Sequence, residues 1–97
     1  MAVPRLNPVI KALESGKHAL STFAGCDIET ALALQNSDYD SLVFEGEHNG
    51  WDIRGLRDAL QYLLNRGQIV KSGSIVPKVA PMARIPANGV EKNQFLA

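Results

Sequence analysis

At 97 residues the chain holds one domain at most, or part of one, and 45% apolar with 21% charged residues is an ordinary globular composition. Ten basic and ten acidic side chains cancel, and the aromatic residues are few and scattered, so neither nucleic acid nor a membrane surface is an expected partner. The single cysteine, Cys26, excludes an intrachain disulfide or a cysteine metal cluster, and no apolar run reaches signal-peptide or membrane-span length, which makes the cytoplasm the expected compartment.

The first element is a helix in "LNPVIKALESG". Asn7 is placed to cap it, Pro8 suits the first helical position, Val9, Ile10 and Leu13 share a face, and Gly16 closes it. "HALSTFAG" predicts a short strand from Ala19 to Phe23, ended by Gly25. A second helix follows in "DIETALALQNS", capped by Asp27, with Ile28, Ala31, Leu32 and Gln35 at helical spacing. "YDSLVFE" is a compact apolar run at Leu42 to Phe44, too short for a helix and suited to a buried strand.

The strongest periodicity lies in "DIRGLRDALQYLLNRG". Asp52 caps this third helix, Ile53, Leu56, Leu60, Leu63 and Leu64 line one face, and Gly67 ends it. Gly55 inside the helix weakens it by about 1 kcal/mol relative to alanine. "QIVKSGSIVPKVA" reads as a long connection with glycine and proline breaks, and "PMARI" as a third strand with Pro81 at its start. "NGVEKNQFLA" opens what reads as another helix and shows no stop signal.

Alternating helices and strands imply parallel strands joined by right-handed crossovers, hence an α/β sheet or barrel. Three parallel strands need cover on both faces and leave two unpaired edges. The chain is therefore expected to be part of a larger α/β fold, and on its own to self-associate or pack loosely.

In such folds the functional groups gather at the carboxyl ends of the strands. Glu45, Glu47 and His48 follow the second strand there, and Arg84 ends the third. Histidine suits proton transfer near neutrality, and the arginine fork suits a carboxylate or enolate oxygen. Each residue also has a plain reading: a loop histidine is ordinarily just polar, Arg84 can be a surface ion-pair partner, and the two glutamates can be solvated turn residues. His18, on the amino-end face, reads as structural, and Cys26, with no activating partner, as a small buried residue.

"YDSLVFEGEHNGWDIRGLRDAL" followed by "PMARIPANG" resembles the metal-dependent 2-keto-3-deoxy acid aldolases, the 4-hydroxy-2-oxoheptanedioate aldolase/citrate lyase family. Members carry a strand ending in an acid-x-Glu-His turn, a helix, and then an Arg-(Ile/Val)-Pro-x-Asn strand end. Here these are Glu45, Glu47 and His48, then Arg84, Ile85, Pro86 and Asn88. The similarity runs from about Leu6 onward. It implies a (β/α)8 TIM barrel of roughly 250 residues, of which this chain supplies the first three β/α units, as one amino-terminal portion of a single domain.

The resemblance also implies a lyase: cleavage of 4-hydroxy-2-keto acids to pyruvate and an aldehyde with a divalent metal (Mg, Mn or Co). His48 takes the proton from the 4-hydroxyl, Arg84 holds the keto or enolate oxygen, and Glu45 and Glu47 shape the surroundings of the histidine. The metal ligands, a glutamate and an aspartate, and an aspartate that pairs with the histidine, are expected beyond Ala97. No metal site is expected within these residues, and this chain alone is expected to be inactive. The full-length parent is expected to be a homo-oligomer. The competing classes are a small protein that only binds a partner or a carboxylate, and a CoA-ester lyase, against which the combination of His48 and Arg84 argues.

Overall fold

The computed structural model describes residues 5–48 and 52–86. Strands β1 (Ser21–Ala24), β2 (Ser41–Glu45) and β3 (Ala80–Arg84) form one parallel sheet in the order β1-β2-β3. Helix α1 (Pro8–Glu14) precedes it, α2 (Ile28–Leu34) joins β1 to β2, and α3 (Ile53–Leu63) and α4 (Arg66–Ser72) join β2 to β3. The expected α/β alternation is present, with its strands parallel.

Each helix starts where a short polar side chain can take an orphan backbone N–H. The Asn7 side chain accepts from Val9 and Ile10, Asp27 from Thr30, Asp52 from Gly55, and Asn65 from Gln68. The hydrogen bond from Thr30 holds the Asp27 carboxyl below its ordinary pKa. At the other end of β1, Leu20 N–H donates to the Asp40 carboxylate at 2.8 Å, and Ala80 N–H donates to the Asp40 carbonyl at 2.9 Å. Asp40 thus ties the entries of all three strands together.

The core lies between the sheet and the pair α2 and α3. Leu42 and Phe44 of β2 are fully buried there, with Ala24 from β1, Ala31 from α2, Ala59 and Leu63 from α3, and Val79. The alanines let both helices lie close to the sheet, so the two large side chains of β2 fill the gap. Burying each of these two contributes on the order of 1.5–3 kcal/mol. Gly55 has a reason of its own: a Cβ there would stand 2.6 Å from the Cys26 carbonyl oxygen and 2.6 Å from Asp52 Oδ2. The first turn of α3 sits directly against the loop after β1, and only glycine fits.

Several expectations need correction. The first strand is shifted, running Ser21–Ala24 rather than Ala19 to Phe23. In α2 Ala31 is buried in the core and Leu34 packs against it, while Leu32 is exposed. In α3 Leu56, Ala59 and Leu63 pack in the core, while Ile53, Leu60 and, just past the helix, Leu64 are exposed. Gly67 does not end that helix. The chain leaves helical geometry at Leu64, restarts at Asn65, and carries Gly67 inside α4, which Gly73 closes with φ 69°. Part of the expected long connection is therefore helical.

His18 is exposed ahead of β1, and Cys26 is partly buried against the core. The expected helix in "NGVEKNQFLA", and Asn88 with it, lies outside the described residues. Among the described residues, no helix is long and apolar enough to cross a membrane.

The second face of the sheet differs in kind. Strand alternation puts Ser21, Phe23, Ser41, Val43, Glu45, Ala80, Met82 and Arg84 on it. At the amino end the Ser21 and Ser41 hydroxyls are hydrogen-bonded to each other. In the middle Phe23, Val43 and Met82 stand in register, with Phe23 57% and Met82 49% exposed. At the carboxyl end stand Glu45 and Arg84, in register with one another.

Candidate site at the carboxyl ends of the strands

Glu45 and Arg84 are partners across β2 and β3, and Gly46 N–H donates to the Arg84 carbonyl at 2.8 Å, carrying the pairing one residue further. Parallel strands deliver side chains to the same face at the same height, which brings two residues 39 apart in sequence into contact. Arg84 Nε donates to Glu45 Oε1 at 3.1 Å and Arg84 Nη2 donates to Oε2. This is the two-pronged carboxylate pairing that the planar guanidinium favours.

Glu45 does a second thing. Its Oε1 accepts the backbone N–H of Glu47 at 2.6 Å and of His48 at 3.1 Å. The carboxylate therefore closes the turn that carries the histidine. With Arg84 as the largest cause, and these two N–H groups assisting against the opposing effect of burial, the Glu45 carboxyl is lowered to a pKa of about 2. The same pairing pushes Arg84 further up.

The histidine ring rests on this frame. Its side chain is 70% exposed. Its Nδ1 lies 2.9 Å from Arg84 Nη2 and 3.8 Å from Glu45 Oε2, and its Nε2 lies 3.3 Å from Glu47 Oε1. Glu47 Oε1 is also 3.6 Å from Arg84 Nε. Below the cluster, the Arg84 guanidinium lies over the Phe23 ring at 4.4 Å from its centroid, a cation–π contact.

All four residues singled out from sequence thus meet: Glu45, Glu47, His48 and Arg84. The role expected for Glu45 shifts in emphasis. It braces the arginine and the turn, and its carboxylate stands further from the imidazole than from the guanidinium. Phe23 was not singled out. Its signal was the alternation of β1, which sets it on the open face one register step below Glu45 and Arg84.

Cys26 stands near this end, and its thiol is held in the neutral form. Burial first, then the carboxylates of Asp52, Asp27 and Glu45, push its thiol pKa up, and its Sγ donates to the Glu45 carbonyl at 3.6 Å. Among the described residues no three His, Cys, Asp or Glu side chains are grouped to hold a metal ion. Both Glu45 oxygens are already engaged by Arg84 and the turn, so these residues do not fit a divalent cation.

Comparisons of the chain with family models, with curated proteins and with solved structures give no match.

Proposed function

We propose that this chain supplies the first three β/α units of a (β/α)8 barrel aldolase that cleaves 4-hydroxy-2-keto acids to pyruvate and an aldehyde. The observation that carries the reading is the contact of His48 with Arg84 at the carboxyl ends of neighbouring parallel strands, on the face a barrel would enclose. Reacting groups in such barrels occupy that position.

Two features of the packing support the barrel. The open face is layered, with small residues at its amino end, an apolar belt of Phe23, Val43 and Met82, and charge at its carboxyl end. On the helix side, Leu60 and Leu64 border Pro77 and Pro81 in a groove of about 210 Å³ beside β3. A further crossover helix packs in that position when a parallel sheet continues.

In this reading Arg84 binds an oxygen of the keto acid and stabilises the charge that grows there as the carbon–carbon bond breaks. His48 exchanges the proton of the 4-hydroxyl, directly or through a water. Glu45 keeps both in place. The divalent metal of the resembled family has no seat among these side chains, and no step is routed through it.

A second reading has its own support. With one guanidinium against two carboxylates, the cluster is already well satisfied without a ligand. A small protein that binds a partner or a carboxylate without turning it over would need no more. The nucleotide sequence downstream of Ala97 separates the two: a continuing frame with glutamate and aspartate at later strand ends supports the aldolase, and a stop codon the small protein. In a complete barrel, His48→Ala should lower kcat far more than it weakens pyruvate binding, and Arg84→Lys should harm both. Steady-state kinetics of the two variants with metal saturating test this. Near-parental kcat in His48→Ala would remove the histidine from the chemistry.

A further inference from the structure

The guanidinium of Arg84 has two usable edges. Glu45 occupies the side edge completely, taking Nε–H with Oε1 and one Nη2–H with Oε2. Because the fork is planar, the second Nη2–H must point along the other, terminal edge, beside Nη1. His48 Nδ1 lies 2.9 Å from Nη2 and is the partner left for that N–H. Arginine has no acceptor, so Nδ1 must be the acceptor and bears no proton. The ring proton then sits on Nε2, facing Glu47 Oε1 at 3.3 Å.

We propose that Arg84 is a positioning residue for His48: it caps Nδ1 in the ligand-free protein and releases it when a ligand oxygen takes the terminal edge. Among the described residues, Nη1 makes no hydrogen bond, so an anion approaching that edge meets one free Nη1–H beside the Nη2–H now given to His48. A carboxylate or enolate that spans the terminal edge takes the Nη2–H for itself. The imidazole loses its donor at the moment the substrate arrives, and Nδ1 becomes the basic atom of the site.

Glu45 makes the exchange possible, since it holds the guanidinium by the other edge while the terminal edge changes partner. The face of Phe23 holds it from below. Glu47 Oε1, 3.3 Å from Nε2, is placed to keep the ring from turning over. Among the described residues, the charged groups facing the imidazole are Glu45, Glu47 and Arg84. The exchange of partners at Nη2 rests on the keto-acid reading above; the ring tautomer does not.

The test is nuclear magnetic resonance of the intact, ¹⁵N-labelled chain at neutral pH. A nitrogen–nitrogen coupling across the hydrogen bond should join Arg84 Nη2 to His48 Nδ1, with the ring proton on Nε2. The coupling should vanish in Arg84→Lys and weaken in Glu45→Gln. Saturating pyruvate should abolish it in the unmodified chain while the Arg84 Nε–H resonance, held by Glu45, stays in place.

Absence of the coupling in the unmodified chain, an unresolved Arg84 guanidinium, or a proton on Nδ1 would overturn the proposal. So would pyruvate that binds and leaves the coupling intact. If pyruvate does not bind but the coupling is present, the ligand-driven release is overturned for this chain while the capped tautomer stands.

Discussion

The two faces of the sheet meet opposite demands. The helix-covered face is built from Ala24, Leu42 and Phe44 under Ala31, Ala59 and Leu63, and it is closed. The other face is graded from hydroxyls through an apolar belt to a charged cluster, and Phe23 and Met82 stand half exposed on it. Five residues of β2 serve both, Leu42 and Phe44 turning one way and Ser41, Val43 and Glu45 the other. A single strand therefore carries the core and the site, and no residue serves as both. The packed core and the charged cluster are separated by the two-residue period of the strand.

That separation can be broken most severely from the covered side. Phe44→Ala should cost about 3–5 kcal/mol, a large share of the roughly 5–15 kcal/mol that stabilises a small domain. Urea unfolding followed by far-ultraviolet circular dichroism measures it, and a cost below about 1 kcal/mol would show that the covered face is not the core.

Gly55→Ala comes next. In an open helix this change stabilises by about 1 kcal/mol. Here the new methyl would strike a backbone carbonyl and the capping carboxylate, so a loss of about 1–3 kcal/mol is expected. The sign alone decides, by comparison of unfolding midpoints.

The charged end of the open face has a pH signature. Glu45 ionises at about 2 in the folded chain against an ordinary 4.5. A carboxyl with a depressed folded pKa adds stability that is fully present above its unfolded pKa. That increment is lost as pH falls from 4.5 toward 2. Thermal unfolding of the unmodified chain should therefore fall more steeply across that window than that of Glu45→Gln. Parallel curves would mean that the Arg84 pairing is not held in solution.

The smallest effect on stability is expected at Met82→Ser, within about 0.5 kcal/mol because the side chain is half exposed. Its effect on association should be plain. If the open apolar belt drives copies together, sedimentation velocity should show the variant shifted toward monomer. A well-behaved monomer in the unmodified chain would count against the open face as an adhesive surface.

What the sequence made legible follows from how local each signal is. Asn7, Asp27 and Asp52 cap helices because a short polar side chain and the next three residues contain all the needed chemistry. The apolar runs of β2 and β3 were legible for the same reason, whereas the meeting of His48 with Arg84 needed the further expectation that the strands are parallel neighbours. The stripe of α3 was not legible. Weighting large side chains favoured Ile53, Leu60 and Leu64, whereas Ala59, too small to draw notice, lies fully buried against the sheet. Asn65 is a cap of the same local kind. It was hidden because Gly67 two residues later imitates a stop, and α4 was missed with it. The brace between Glu45 and Arg84 depends on strand register, which no short window contains.

Pro81 leaves a mark on how this sheet can grow. Ala80 N–H points inward to the Asp40 carbonyl, so by alternation the residue after it faces the outer edge of β3, and that residue lacks an N–H. The outer edge of β1 carries no such gap: Ser21 and Phe23 both face it with donors intact. The sheet is thus asymmetric as a template. Strand addition beside β3 must skip one hydrogen bond, which penalises indiscriminate recruitment of extended chain on the side that bears Arg84. Any fibril-like stacking of this protein would be expected to start from β1, the edge farther from the charged cluster.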